Sequence, residues 1–368
     1  MNLNTTPSRT LDNLLRSRLV AALTAPHGVD RYLDWLAPER VTDEMRSRVL
    51  ARRMETADCV TLTLAVPRGW RGHSAGQHLT VSVELDGRRQ TRCFSIASAD
   101  NSRNGELEIT VKAQPDGQVS RFLVDAARPG TTVVLSDASG AFRLPDIRPA
   151  GVLLISGGSG ITPVMSMLRS LVNEGYEGEI RLLHYARSSE DLIFADELDE
   201  LTQQHSNLTV YRAFTSDDAV DGELHGRFKP AHLQDFGPAH NDWPAFACGP
   251  QPLIEALQSY WSAQAAGSRL DFEYFQPPRA AAADGQSVLQ FVRSQVTADD
   301  DGRSLLDQAE AAGLKPAYGC RMGICRSCTC RKTSGRVRNL LTGRISQDGA
   351  EDIQPCITAP ASDVSVEL

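Results

Sequence analysis

The rhythm of hydrophobic and polar positions changes several times along the chain. In residues 1–43, Leu11, Leu14, Leu15, Leu19 and Leu23 recur at helical spacing, and Pro26 and Gly28 stop that helix. Residues 44–148 alternate instead in short runs such as Cys59-Val60-Thr61-Leu62-Thr63-Leu64-Ala65-Val66 and Leu79-Thr80-Val81-Ser82-Val83, with turn pairs at Asp86-Gly87 and Asp116-Gly117. That period predicts an antiparallel Greek-key β-barrel. Residues 150–275 switch to wholly apolar strands followed by helical periodicity, the pattern of an α/β parallel sheet. A Pro/Ala/Gly-rich stretch at 276–285 reads as a linker. In the last piece, 286–368, Ser304–Leu314 reads as a helix closed by Gly313. No internal repeat is visible.

Composition narrows the class. The chain has 368 residues, 41% of them hydrophobic and 23% charged, and single cores stop growing at roughly 250–300 residues, so several domains are expected. A net charge of −8 excludes a general nucleic-acid binder. No apolar run approaches bilayer length, and the N-terminus lacks the apolar core of a secretory signal. The expected location is the cytoplasm, extending to the inner face of the membrane through a partner, and the expected state is a monomer.

The cysteines bring in chemistry. Cys320, Cys325 and Cys328, with Cys356 downstream, follow the C-x4-C-x2-C…C spacing by which thiolates hold a plant-type [2Fe–2S] cluster. Gly319, Gly323 and Ser327 leave room for a loop to wrap it, with backbone N–H groups aimed at sulfur. A zinc site or two disulfides compete, but structural zinc prefers two C-x2-C-like pairs. Cys330 falls outside the ligand set and reads as a strand residue. With four of its eight cysteines as ligands, the chain belongs in a reducing compartment.

Two motifs in the barrel segment follow. Arg92-Cys93-Phe94-Ser95 resembles the Arg-x-Tyr/Phe-Ser strand of the ferredoxin–NADP⁺ reductase superfamily. There the Arg grips a flavin phosphate, the aromatic ring packs on the flavin, and the Ser faces the nitrogen that receives hydride. Positions i and i+2 of a strand share a face, so Arg92 and Phe94 would bracket one elongated ligand. Gly117-Gln118-Val119-Ser120, with Leu123, matches the family's pyrophosphate turn, which implies FAD ahead of FMN.

Val152–Ile155 runs into Gly157-Gly158-Ser159-Gly160-Ile161-Thr162-Pro163, a strand, glycine turn and helix start similar to the superfamily's nicotinamide domain. Cys248-Gly249-Pro250 and Glu273-Tyr274-Phe275 match its two later motifs. The resemblance implies that Ser95, Cys248 and Phe275 serve the reaction. Arg187-Ser188-Ser189 and Arg212 are expected to hold a 2′-phosphate, favouring NADPH over NADH. The last piece resembles a β-grasp [2Fe–2S] ferredoxin. Together these imply a three-domain reductase that passes electrons from nicotinamide to flavin to cluster to a terminal acceptor protein.

Residues 27–37 and Gly87–Ser95 look like bacterial reductases that serve membrane fatty-acyl desaturases. Reductases of aromatic-ring and alkane oxygenases are the alternative, and a redox-sensing cluster module is a reading from another class. Seven basic residues run from Arg321 to Arg344 (Arg321, Arg326, Arg331, Lys332, Arg336, Arg338, Arg344) with no acid between Glu310 and Asp348. They are expected either to steer an acidic acceptor or to form a solvated face balanced by Asp299, Asp300 and Asp301. The N-terminal leucines are expected to pack on the barrel.

Overall fold

The computed structural model describes residues 18–24, 44–102, 105–216, 224–236, 242–264, 267–275, 278 and 287–368. The expectations for residues 27–37 and for most of the 276–285 linker lie outside these. Helix α1 (Arg18–Thr24) ends before Pro26, as its breakers require. Leu19 and Leu23 are 69% and 77% exposed. The expected packing on the barrel is therefore corrected for these two.

Strands β1 (Met45–Thr56), β2 (Cys59–Ala65), β3 (His78–Leu85), β4 (Arg88–Ser95), β5 (Glu106–Lys112) and β6 (Thr132–Leu135) form one antiparallel sheet in the order β4-β3-β6-β1-β2-β5. A bridge between Ile96 and Ile109 joins its two ends into a barrel. The β3–β4 hairpin turns at Asp86 and Gly87, which both have positive φ. That is the backbone a two-residue Asp-Gly hairpin turn demands. Inward-facing Leu62, Leu64, Leu79, Val81, Leu107 and Ile109 build the barrel core. Helix α2 (Gln118–Arg121) follows β5.

Strands β7 (Gly151–Gly157), β8 (Glu179–Ala186), β9 (Leu208–Phe214), β10 (Leu224–His225), β11 (Ala245–Gly249) and β12 (Leu270–Tyr274) make an all-parallel sheet, order β10-β9-β8-β7-β11-β12. Helices α3 (Ile161–Asn173), α4 (Ala195–Gln204) and α5 (Gln251–Ala263) alternate with its strands. Both faces of β7 are covered, which explains its unbroken apolar sequence.

The C-terminal unit is a mixed sheet of β13 (Val288–Phe291), β14 (Val296–Asp299), β15 (Cys330–Ser334), β17 (Glu351–Ile353) and β19 (Val364–Val366), beside the two-stranded pair β16 (Val337–Asn339) and β18 (Thr358–Pro360). Helix α6 (Leu305–Ala311) is capped by Ser304, whose Oγ accepts the Asp307 N–H, and Leu305 and Ala309 pack it onto that sheet.

The three units pack together. On α3, Arg169 donates to Ala97 O and Glu108 of the barrel, both at 2.8 Å, and to Glu197 of α4 at 2.6 and 2.7 Å. Its guanidinium lies 5.0 Å from the centre of the Phe194 ring. Across the other boundary, Nη1 of Arg92 donates to Gly319 O at 3.3 Å. That contact sets the flavin-motif strand against the cysteine loop.

Candidate functional site

The carboxyl ends of β7 and β11 form a cradle that only glycine permits. A Cβ on Gly160 would stand 2.2 Å from Cys248 O, and one on Gly157 would stand 2.9 Å from Cδ of Pro250. A Cβ on Gly249 would come within 3.1 Å of Gly157 N. Gly158 turns with φ +54, and Thr162 ties the turn by donating to Ser159 O at 2.8 Å. Pro163 occupies the first turn of α3, where its missing N–H costs nothing. The two motifs, far apart in sequence, thus meet backbone to backbone. Such a cradle fits the approach of a dinucleotide phosphate.

Behind it, five polar side chains cross the sheet in register: Glu273, Cys248, Ser156, His184 and Arg212. Lateral neighbours in a sheet share a face, so all five point the same way. Ser156 Oγ lies 2.8 Å from His184 Nδ1, and full burial holds that imidazole neutral, its pKa lowered to about 4. Arg212 is paired with Asp199 of α4. Arg187, just past β8, is exposed, and its carbonyl accepts the Ser216 N–H at 2.9 Å. Ser216 Oγ, buried without a hydrogen-bond partner among the described residues, stands beside it and was not singled out in the sequence.

The flavin motif lies on β4, the edge strand of its sheet. Phe94 is partly buried against the barrel core. Gln90 donates to Gln118, which brings the Arg92 strand to the Gly117–Ser120 turn. Gly117 is again a position where a Cβ would collide, 2.3 Å from Ser120 Oγ. Val119 and Ser120 are buried beneath that turn. Nη1 of Arg92 is engaged by Thr91 O and Gly319 O, and its guanidinium lies 5.2 Å from the centre of the Tyr318 ring.

Cys93 and Ser95 occupy the alternate positions of β4, and His78 pairs with Ser95 across the ladder. His78 Nδ1 lies 3.3 Å from Glu273 Oε1, a polar contact between barrel and nicotinamide sheet. Phe275 packs against the core that contains Cys248. Burial pushes the Cys248 thiol well up, reinforced by Glu273. The same happens to Cys93, with Glu273, Cys320 and Cys325 adding negative charge nearby. Sequence reasoning missed His78. Its only signal was a histidine at the start of an alternating strand.

The four predicted ligands gather as two pairs. Cys320 Sγ accepts the N–H groups of Met322, Ile324 and Cys325 at 3.3–3.4 Å, and Cys325 Sγ accepts that of Cys320 at 3.2 Å. Cys328 and Cys356 place their sulfurs 3.2 Å apart. Among the described residues no three metal-ligating side chains converge on one point. Two sulfur pairs match instead the two irons of a [2Fe–2S] cluster. A Cβ on Gly319 would lie 2.5 Å from Cys325 Sγ, so the loop fits its cargo only with glycine there. Cys320, Cys328 and Cys356 are buried, whereas Cys325, Arg326 and Ser327 are exposed.

The basic run is rearranged by the fold. Lys332 is fully buried, bonded to Gly335 O, Ser346 Oγ, Gln347 O and Glu351. Arg321 is held by Asp307 and Glu310 and stacks 4.0 Å from the Tyr318 ring centre, while Arg331 pairs with Asp352. None of these ion-pair partners is among the aspartates 299–301 expected to balance the run.

Residues 47–144 match the family model of the oxidoreductase FAD-binding domain, 154–259 that of the oxidoreductase NAD-binding domain, and 284–361 that of the 2Fe-2S iron-sulfur cluster binding domain. An NADPH oxidoreductase of Mycobacterium tuberculosis is 34% identical over 95% of this chain and 91% of its own. The reductase component of the glycine betaine monooxygenase of Chromohalobacter salexigens is 28% identical over 80% of this chain and 86% of its own. Among solved structures, phthalate dioxygenase reductase aligns with a TM-score of 0.59 at 25% identity, covering 89% of this chain and 98% of the other.

Proposed function

Because the chain belongs to the ferredoxin–NADP⁺ reductase superfamily, in its form with flavin, nicotinamide and [2Fe–2S] domains, we propose that it draws electrons from NADPH and delivers them singly to a terminal oxygenase. It is a flavin-dependent NAD(P)H oxidoreductase. The observation that carries the delivery step is the placement of the cysteine loop. Gly319 is hydrogen-bonded to Arg92 of the flavin strand, whereas Cys325 is exposed to solvent. The cluster would thus sit beside the flavin strand and still reach the solvent where an acceptor can dock.

When bound, the flavin takes hydride as an electron pair and passes electrons one at a time, which a one-electron cluster demands. The chain's residues do the positioning. Arg92 would hold the FAD phosphates, with the Gly117–Ser120 turn receiving the pyrophosphate. Phe94 would pack on the ring, and Ser95 would support its hydride-accepting nitrogen. Gly157, Gly158, Gly160, Thr162, Pro163, Gly249 and Pro250 would cradle NADPH, and Cys248 and Phe275 would orient its nicotinamide. Arg187, with Ser216 beside it, would bind the 2′-phosphate; the NADPH in the mycobacterial relative's name supports that choice.

Reductase components named for oxygenase systems, such as that of 3-ketosteroid-9-alpha-monooxygenase from Mycobacterium tuberculosis, 30% identical over 85% of this chain, favour an oxygenase as acceptor. A fatty-acyl desaturase is the second reading, favoured by the 27–37 and 87–95 sequence pattern. No helix among the described residues is long and apolar enough to cross a membrane, so contact with a membrane would come through such a partner. An anaerobic titration with NADPH, then NADH, following flavin and cluster absorbance, tests the internal path. The flavin should bleach first and the cluster next, at lower NADPH than NADH. A cluster that stays oxidised while the flavin bleaches would sink the proposal.

A further inference from the structure

The cysteine loop meets the flavin strand at a stacked joint. Tyr318 stands two residues ahead of Cys320, and two guanidiniums lie over its ring. Arg92 of β4 is 5.2 Å from the ring centre and Arg321 of the loop itself is 4.0 Å away. Both fall within the roughly 6 Å over which an aromatic face attracts a cation. Arg321 is anchored in turn to α6, by Asp307 at 3.2 Å and by Glu310. Nη1 of Arg92 adds its bond to Gly319 O at 3.3 Å. The joint therefore runs from β4 through Tyr318 and Arg321 to α6.

Two observations set it apart from incidental packing. Arg321 has φ +61, a left-handed backbone that suits glycine and is uncommon for a long side chain. Such a conformation persists where the surroundings over-determine it. Here the side chain supplies the reason, because glycine would take a cation from the ring and from both carboxylates. The second observation is charge. Arg321 is balanced by Asp307 and Glu310, whereas the hydrogen bonds of Arg92 among the described residues go to two backbone carbonyls, which do not neutralise it. Its charge is left for an anion. On the reading above, in which Arg92 holds the flavin phosphates and on which this inference rests, that anion is FAD.

We propose that Tyr318 is a positioning residue that couples FAD binding to the seating of the cysteine loop on β4. An anion on Arg92 relieves the repulsion between the two guanidiniums that share the ring, and it fixes the Arg92 side chain for stacking. Linkage makes the coupling reciprocal, so a seated loop tightens FAD by the factor by which FAD favours seating. Seated molecules hold the cluster ligands against the flavin strand and are the ones that pass electrons across. Tyr318 acts through Arg92.

The test compares the flavin- and cluster-loaded full chain with Tyr318→Leu, which removes the aromatic face, and Tyr318→Phe, which keeps it. The FAD dissociation constant, read from the fluorescence of FAD released on serial dilution, should rise about fivefold in Tyr318→Leu, the low end of ordinary coupling between sites. In stopped flow with NADPH, cluster reduction should slow by about the same factor, because the competent fraction falls, while flavin bleaching keeps the parent's rate. Tyr318→Phe should match the parent in both. Cluster absorbance is checked first, and Tyr318→Met replaces Tyr318→Leu if the latter does not load. A parental dissociation constant or a parental cluster-reduction rate in the variant without the ring overturns the proposal, as do equal losses in Tyr318→Phe. If Arg92→Met binds FAD as tightly as the parent, it is the underlying reading of Arg92 that fails.

Discussion

Cys328, Cys330 and Cys356 lie close together, yet only two of them face each other. Cys328 and Cys356 touch sulfur to sulfur, whereas Cys330 begins β15 and packs against the β-grasp core. Burial pushes the Cys330 thiol up to about 12, and the residue lies on a strand outside the loop that carries Cys320, Cys325 and Cys328. Cys330→Ser should therefore keep the cluster's visible absorbance and its reduced-state EPR signal. Cys356→Ser should lose both. The spacing alone separated these roles, because ligand geometry is local to one loop and one distant contact. It could not show that Gly319 is obligatory; that follows from the 2.5 Å between its imagined Cβ and Cys325 Sγ.

Element by element, the period of the sequence was a sound guide, since alternation and helical spacing report which face a strand or helix buries. The glycine turn after β7 and the Asp86-Gly87 hairpin were legible for the same reason: each needs a backbone few residues adopt. What helix α3 does beyond its turn was not legible. Its Arg169 side chain, 13% exposed, holds Glu108 of β5 and Glu197 of α4 at once. Arg169→Met would leave two carboxylates packed together without a cation. We expect a loss of about 3 kcal/mol in unfolding free energy, read from urea midpoints by flavin fluorescence. A loss under about 1 kcal/mol would mean that water already shares the load.

At the scale of the whole molecule, charge is sorted rather than merely summed. The chain is net acidic, but the fold spends Arg321, Arg331 and Lys332 on internal partners and leaves Arg326 and Arg344 exposed. Arg326 lies between Cys325 and Cys328, two of the candidate cluster ligands. Arg344 is tied to Asn339, whose neighbour Leu340 bonds to Ile357 beside Cys356. An acidic acceptor would be steered to this side of the cluster. The double change Arg326→Glu and Arg344→Glu should slow reduction of such an acceptor about tenfold at low salt, with the deficit fading near 0.5 M salt as the Debye length shrinks. Stopped-flow rates across salt concentrations check it, and an unchanged low-salt rate would exclude the surface. By itself, the sequence singled out the candidate ligand cysteines and determined the glycine turns and the order of the three units, because each is written in short spacings. Only the tertiary structure decided that Glu273 faces His78, that Asp199 claims Arg212, and that Arg92 reaches Gly319. Those pairings join residues far apart in the chain, and no local spacing encodes which distant charge will fold against which.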